Sequence, residues 1–226
     1  MGSKCGRALA VAVHDLRTPL AVIAGYLGLL ARQHAGTLSR PQRELLANIE
    51  KAADSLTKLI SQLSDLSSLQ SQTLPLSHQQ IKLAAIVKEV SAEVARDVAG
   101  KIVLRGAMPR ASLVGDEQRL RAAFSTIFTA ALRETKPPQT IVVQQVVRSA
   151  RSGASALIAV GEKTNVETLL KVPPRQLTGF DAPNGARNLA AVVACHVIKA
   201  HGGNTWMLRG QREGPGVMVG LPLKSS

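Results

Sequence analysis

The stretch Leu9-Ala10-Val11-Ala12-Val13-His14-Asp15-Leu16-Arg17-Thr18-Pro19-Leu20 opens a run in which Leu9, Val13, Leu16, Leu20, Ile23, Leu27 and Leu30 recur at alternating spacings of four and three. Such spacing is the apolar seam of a helix that packs along its length against others. Leu45, Ile49, Ala52, Leu56, Leu59, Leu63 and Leu66 repeat the pattern. Between the two runs, Gly36 is suited to end the first helix and Ser39 to cap the second, with Pro41 in its first turn. Two helices joined by so short a loop form an antiparallel hairpin. Leu46, Ala53 and Ile60 widen the second stripe beyond what one partner helix covers. A homodimer, with the hairpins paired as a four-helix bundle, is therefore expected. The alternative is a hairpin packed only on the rest of its own chain.

The rest of the composition narrows the possibilities. The chain has 226 residues, of which 45% are hydrophobic but only 2% aromatic, so its core is aliphatic. Its two cysteines, Cys5 and Cys195, stand in no metal-ligand spacing. This argues against a disulfide scaffold or a zinc site and fits a reducing cytoplasm. No apolar run reaches the length of about 18 residues that a membrane span needs, and residues 1–6 are too short and polar for a signal peptide. A sensor segment upstream is left open. The net charge of +13 raises nucleic acid as a partner. The basic residues are dispersed, however, and one Trp, one Tyr and three Phe make a poor base-stacking platform. No nucleic acid is expected, and the charge suits an acidic protein face instead.

Residues 71–78 break the helical period and read as a linker. The expected division is a hairpin domain over 1–72 and a second domain over 73–226. In the second, residues 80–98, 116–134 and 186–200 read as helices. Residues 101–105, 140–148, 154–160, 206–209 and 217–222 read as strands, and 171–185 as a loop. The fold class expected is α+β: a helical hairpin followed by a two-layer α/β sandwich.

The residues with chemistry cluster in the first helix. His14 follows seam position Val13, so its imidazole lies at the edge of the seam within reach of solvent. A neutral imidazole nitrogen is a good nucleophile toward phosphorus. Asp15 is placed to accept a ring proton or to fix the tautomer. Thr18 lies one turn beyond His14 on the same face, and Arg17 is available for phosphate. Pro19 lacks an N–H, which leaves the Asp15 carbonyl unpaired and favours a kink. An ordinary exposed histidine on a coiled coil is the plain alternative for His14, and a hydroxyl bonded back to its own helix is that for Thr18. His34 and His78 read as loop bystanders, and His201 as a helix-capping residue.

The segment His14-Asp15-Leu16-Arg17-Thr18-Pro19-Leu20 closely resembles the phosphoacceptor box of sensor histidine kinases. The second domain resembles the ATP-binding domain that follows the box in that family: residues 81–95 look like its first helix. Gly115-Asp116-Glu117-Gln118-Arg119-Leu120 looks like the start of its N-box helix, and Ala200-His201-Gly202-Gly203 like the end of its last helix. The resemblance implies a phosphohistidine at His14, a role for Thr18 in the phosphatase direction, and a response-regulator receiver domain as partner.

The departures from the family pattern fall where Mg-ATP would sit. The N-box positions that carry Asn in the family hold Thr126 and Ala130, with Arg133 one turn on. The Asp-x-Gly-x-Gly box is met by Gly161-Glu162-Lys163-Thr164-Asn165-Val166, where Glu162 could stand in for the Asp but both glycines are lost. The Gly-x-Gly-Leu box is met by Asn188-Leu189-Ala190-Ala191, and residues 167–187 are short for an ATP lid. The expectation is a pseudokinase or histidine phosphotransferase with catalytic residues His14, Asp15 and Thr18, exchanging phosphate with a receiver aspartate and needing no cofactor. One alternative is an autophosphorylating kinase that holds Mg-ATP through Arg133 and Glu162. Another is a non-catalytic signalling scaffold.

Overall fold

A computed structural model describes residues 2–33, 38–70, 76–106, 112–150, 153–180, 189–208 and 216–223. The chain divides into two compact units, Met1–Leu74 and Pro75–Ser226. No described helix is long and apolar enough to cross a membrane.

The first unit is a hairpin of two long helices, α1 (Gly2–Gln33) and α2 (Arg40–Gln70). The entry to α2 is a capping box. The Ser39 hydroxyl accepts from the Gln42 N–H at 3.4 Å, and the Gln42 side chain accepts from the Ser39 N–H at 2.8 Å. The apolar seam splits in two. Val13, Leu20 and Leu27 of α1 are buried against Ala53 and Ile60 of α2, with Leu46 and Leu63 at the margin. Leu16, Ile23 and Leu30 of α1 and Leu45, Ile49, Leu56 and Leu59 of α2 stay exposed, Leu45 at 62%. Thus Leu46, Ala53 and Ile60, expected only to widen the second stripe, make the contact within the hairpin. Most of the residues expected to form that stripe's centre face outward.

The second unit is built on a six-stranded sheet, ordered β2-β4-β5-β8-β7-β6. Its strands are β2 (Lys101–Arg105), β4 (Thr140–Ala150), β5 (Gly153–Gly161), β6 (Thr178–Gly179), β7 (Asn204–Met207) and β8 (Gly216–Pro222). All neighbours are antiparallel except β2 and β4. A separate two-stranded ladder joins β1 (Gln79–Lys82) to β3 (Ser112–Gly115). The helices α3 (Leu83–Asp97), α4 (Glu117–Glu134) and α6 (Leu189–Ala200) cover one face of the main sheet, with α4 against both neighbours. Arg121 of α4 ties α3 down through Glu89 at 2.5 Å and Glu93 at 2.7 Å. Strand alternation sends Ile141, Val143, Ala156, Ile158 and Val160 toward these helices, all of them fully buried.

Two elements differ from the sequence reading. The helix expected from residue 80 begins at Leu83. Ile81 instead lies on β1 opposite Leu113 and is buried there. Residues 163–171, expected as part of a glycine box and a lid, form a helix, α5 (Lys163–Lys171). Its Val166 and Leu169 are fully buried against Val142, Leu157, Ala159 and Met218. By alternation these four belong to the sheet face opposite α4 and α6, so α5 gives part of the sandwich a third layer. The expected loop over 171–185 contains a 3-10 turn at Pro174–Gln176 and the short strand β6.

Candidate functional site

His14 projects from the flank of α1 beside buried Val13. Its side chain is 81% exposed and that of Asp15 is 71% exposed, with His14 Nδ1 3.3 Å from Asp15 Oδ1. An ionised carboxylate can only accept, so this contact selects the tautomer in which Nδ1 carries the proton. Nε2 then keeps its lone pair, directed away from Asp15. A neutral ring in this tautomer offers solvent a nucleophile at Nε2 and holds its proton at Nδ1.

Thr18 and Arg17 are exposed on the same helix. Other hydroxyls here bond back to the carbonyl four residues earlier, as Thr57 does to Ala53 at 3.0 Å and Ser55 to Lys51 at 2.8 Å. Thr18 makes no hydrogen bond among the described residues, so its hydroxyl is available one turn from His14. Arg17 has no carboxylate partner among them. Helix α1 continues through Pro19.

In the second unit Thr126, Ala130 and Arg133 line one cleft of about 290 Å³ with Ser125, Thr129 and Glu134 of α4 and Ala190 at the start of α6. Two of the expected nucleotide elements are therefore brought together. Glu162 is not: it stands at the N-cap of α5, makes no side-chain cap and does not line the cleft. Thr164 is exposed on α5, and Val166 is sealed in the core. The backbone where the family pattern has glycines is thus hydrogen-bonded in a helix whose apolar side faces the sheet. Asn188 and residues 181–187 lie outside the described residues. The cleft offers hydroxyls, one guanidinium and the Glu134 carboxylate, but no carboxamide. No cluster of metal-ligating side chains occurs among the described residues.

Of the remaining histidines singled out in the sequence, His34 lies outside the described residues. His78 is exposed, with Nδ1 2.8 Å from the Leu76 carbonyl. His201 does more than end a helix. Its Nδ1 lies 2.7 Å from the Val197 carbonyl, and its Nε2 accepts from the Asp116 N–H at 2.9 Å. The ring thereby ties the end of α6 to the start of α4. Gly115 makes room for it, because a Cβ there would come within 2.4 Å of the ring. Asp116 caps α4 by accepting from the Arg119 N–H at 3.0 Å, and it also accepts from the Ser77 N–H at 3.3 Å. Burial pushes its pKa up, but the Arg119 and Ser77 hydrogen bonds and the nearby Arg119 and His201 charges hold the carboxyl below its ordinary value. Nothing in the sequence alone signals this junction, whose partners are 85 residues apart.

Residues 6–72 match the His Kinase A (phospho-acceptor) domain. The chain is 25% identical over 88% of its length to the circadian input-output histidine kinase CikA of Synechococcus elongatus, covering 27% of that protein. It is 25% identical over 95% of its length to the sensor histidine kinase GacS of Pseudomonas protegens, covering 24% of it. It is thus similar to only about a quarter of each relative's length. Among solved structures, full-length ShkA in complex with AMPPNP matches 97% of the chain with a TM-score of 0.65 at 19% identity, over 46% of its own length. The Acinetobacter baumannii histidine kinase AdeS matches 94% with a TM-score of 0.59 at 16% identity, over 98% of its own length. At these identities the structural matches speak for the fold alone. The hairpin thus matches a phospho-acceptor domain, and over most of its length the chain is similar to parts of sensor histidine kinases.

Proposed function

We propose that the chain is a two-component histidine phosphotransfer protein. His14 takes a phosphoryl group from the aspartyl phosphate of one receiver domain and passes it to the aspartate of another, without drawing on ATP. The observation that carries this reading is the exposed His14 ring with Nδ1 held by Asp15. In the forward step the Nε2 lone pair forms the P–N bond while the P–O bond to the aspartate breaks. The carboxylate leaves with the electron pair, and no proton need be lost. The positive charge that develops on the ring is offset by Asp15 at the Nδ1–H. The reverse step on a second receiver restores free His14. The Thr18 hydroxyl is positioned to direct a water at a docked phosphoaspartate, which supplies the phosphatase direction.

The reading without ATP rests on the second unit. Ala130 provides no metal ligand, Glu162 stands away from the Arg133 cleft, and α5 fills the place of a glycine-rich approach with a helix docked on the sheet. Mg-ATP is not well matched by this donor set. The dimer is proposed on the outward rows Leu16-Ile23-Leu30 and Leu45-Ile49-Leu56-Leu59, which a second hairpin would cover. A second reading, an autophosphorylating kinase, is favoured by one observation: Thr126, Arg133 and the start of α6 still share a cleft.

The test is the rate at which a phosphorylated receiver loses its phosphate to the protein. His14→Gln is expected to abolish transfer, and Asp15→Asn to slow it by at least about ten-fold through loss of the tautomer-fixing acceptor. Transfer that survives His14→Gln contradicts the proposal.

A further inference from the structure

The opposite face of the main sheet carries a second cleft, of about 340 Å³, at the rim of the layer that α5 covers. Trp206 of β7, the only tryptophan in the chain, lines it and is half-buried. Its six-membered ring lies against Gly220 of β8, where an added Cβ would come within 2.7 Å of it. The lack of a side chain at residue 220 therefore leaves room for the indole over β8.

Half-buried Arg148 of β4 lines the same cleft. One of its terminal nitrogens donates to the Leu170 carbonyl at the end of α5, which fixes the guanidinium in place. No carboxylate reaches Arg148 among the described residues, and no Asp or Glu lines the cleft. Ser149, Ser155 and Asn204 line the same space, and their side chains make no hydrogen bond among the described residues. An indole, one guanidinium without a carboxylate partner, and three polar side chains thus line a single cavity. Its volume is at the lower end of the range for small-molecule sites, about 300–1,000 Å³.

We propose that this cleft binds a small planar aromatic anion, its ring stacked on Trp206 and its charge held by Arg148. Stacking on an indole tolerates any π-face. The planar guanidinium pairs well with a phosphate or a carboxylate. A mononucleotide and an aromatic carboxylate share this chemistry. The site lies on the opposite side of the sheet from the Arg133 cleft and is independent of His14, so its failure would leave the phosphotransfer reading untouched.

Because Trp206 is the sole tryptophan, its fluorescence reports the cleft alone. The full-length protein is titrated with AMP, GMP and 4-hydroxybenzoate, and binding is confirmed by calorimetry. At least one is expected to quench Trp206 saturably with a Kd under about 1 mM. Trp206→Leu and Arg148→Gln should each weaken calorimetric binding by at least about ten-fold, the equivalent of one base–aromatic stack. Trp206→Phe, which keeps a ring, and Arg148→Lys, which keeps the charge, should recover part of the loss. Circular dichroism confirms that each variant is folded. No saturable binding by any of the three probes overturns the proposal. So does binding that is lost on Arg133→Gln and kept on Arg148→Gln. The probe that binds distinguishes a nucleotide from an aromatic acid.

Discussion

At the scale of single residues, two aspartates each meet a neighbouring imidazole, Asp15 through its carboxylate and Asp116 through its backbone N–H. Asp15 faces His14 Nδ1 in the open, on the opposite side of the ring from Nε2. Asp116 works from inside: its carboxylate caps α4 and takes the Ser77 N–H, while its own N–H donates to His201. Because the folded pKa of Asp116 is depressed, the unfolded chain takes up the proton first as pH falls. Its contribution to stability is therefore full above the unfolded value, about 3.9, and is lost as pH drops through the lower folded value. Asp116→Asn is expected to lower the melting temperature near pH 6, with a difference from wild type that shrinks below about pH 3.5. Thermal melts across that range check it, and a difference that grows on acidification would contradict it. The His14 motif was plain in the sequence because its residues are contiguous. The His201–Asp116 junction was not, because tertiary folding alone brings residues 85 positions apart together.

At the scale of elements, both long helices were legible because their seams sustain one period over more than twenty residues. What the spacing could not give was the division of labour around each helix. A seam of four and three merges two faces, one turned to the hairpin partner and one turned outward. Only the packing separates Val13-Leu20-Leu27 from Leu16-Ile23-Leu30. The two faces should fail differently. Ile23→Glu is expected to leave the hairpin helical but monomeric by light scattering, whereas Leu20→Glu should cost helicity as well. A wild-type protein that is monomeric at micromolar concentration would contradict the paired-hairpin reading.

Helix α5 teaches the opposite lesson. Val166, Leu169 and Leu170 already had helical spacing, but the family pattern suggested a glycine box and a lid in the same place. The helix won because Val166 and Leu169 gain a fully buried position on the sheet. Val166→Gly, which restores the family residue, should therefore destabilise rather than repair. The lost side-chain burial is worth about 1.5–3 kcal/mol, and glycine in a helix interior costs about 1 kcal/mol more. Chemical denaturation measures the sum. A variant as stable as wild type, or one that gains ATP binding, would show that α5 is dispensable.

At the scale of the whole molecule, the chain folds as two compact units. The hairpin presents His14 on a helix whose inner face is tied to its partner by Leu20, Leu27, Ala53 and Ile60. The second unit sets three helices on one face of a six-stranded sheet, and the stretch expected as the Asp-x-Gly-x-Gly box runs into the packed helix α5. The net charge of +13 suits an acidic docking partner and should make association sensitive to salt. The central claim is that phosphate reaches His14 from a receiver and not from nucleotide. The most direct measurement is to incubate the protein with radiolabelled Mg-ATP in one arm and a radiolabelled phosphoreceiver in the other, and to map the labelled residue. The account predicts label on His14 from the receiver alone, absent in His14→Gln. Label acquired from ATP, or label on any other residue, would contradict it.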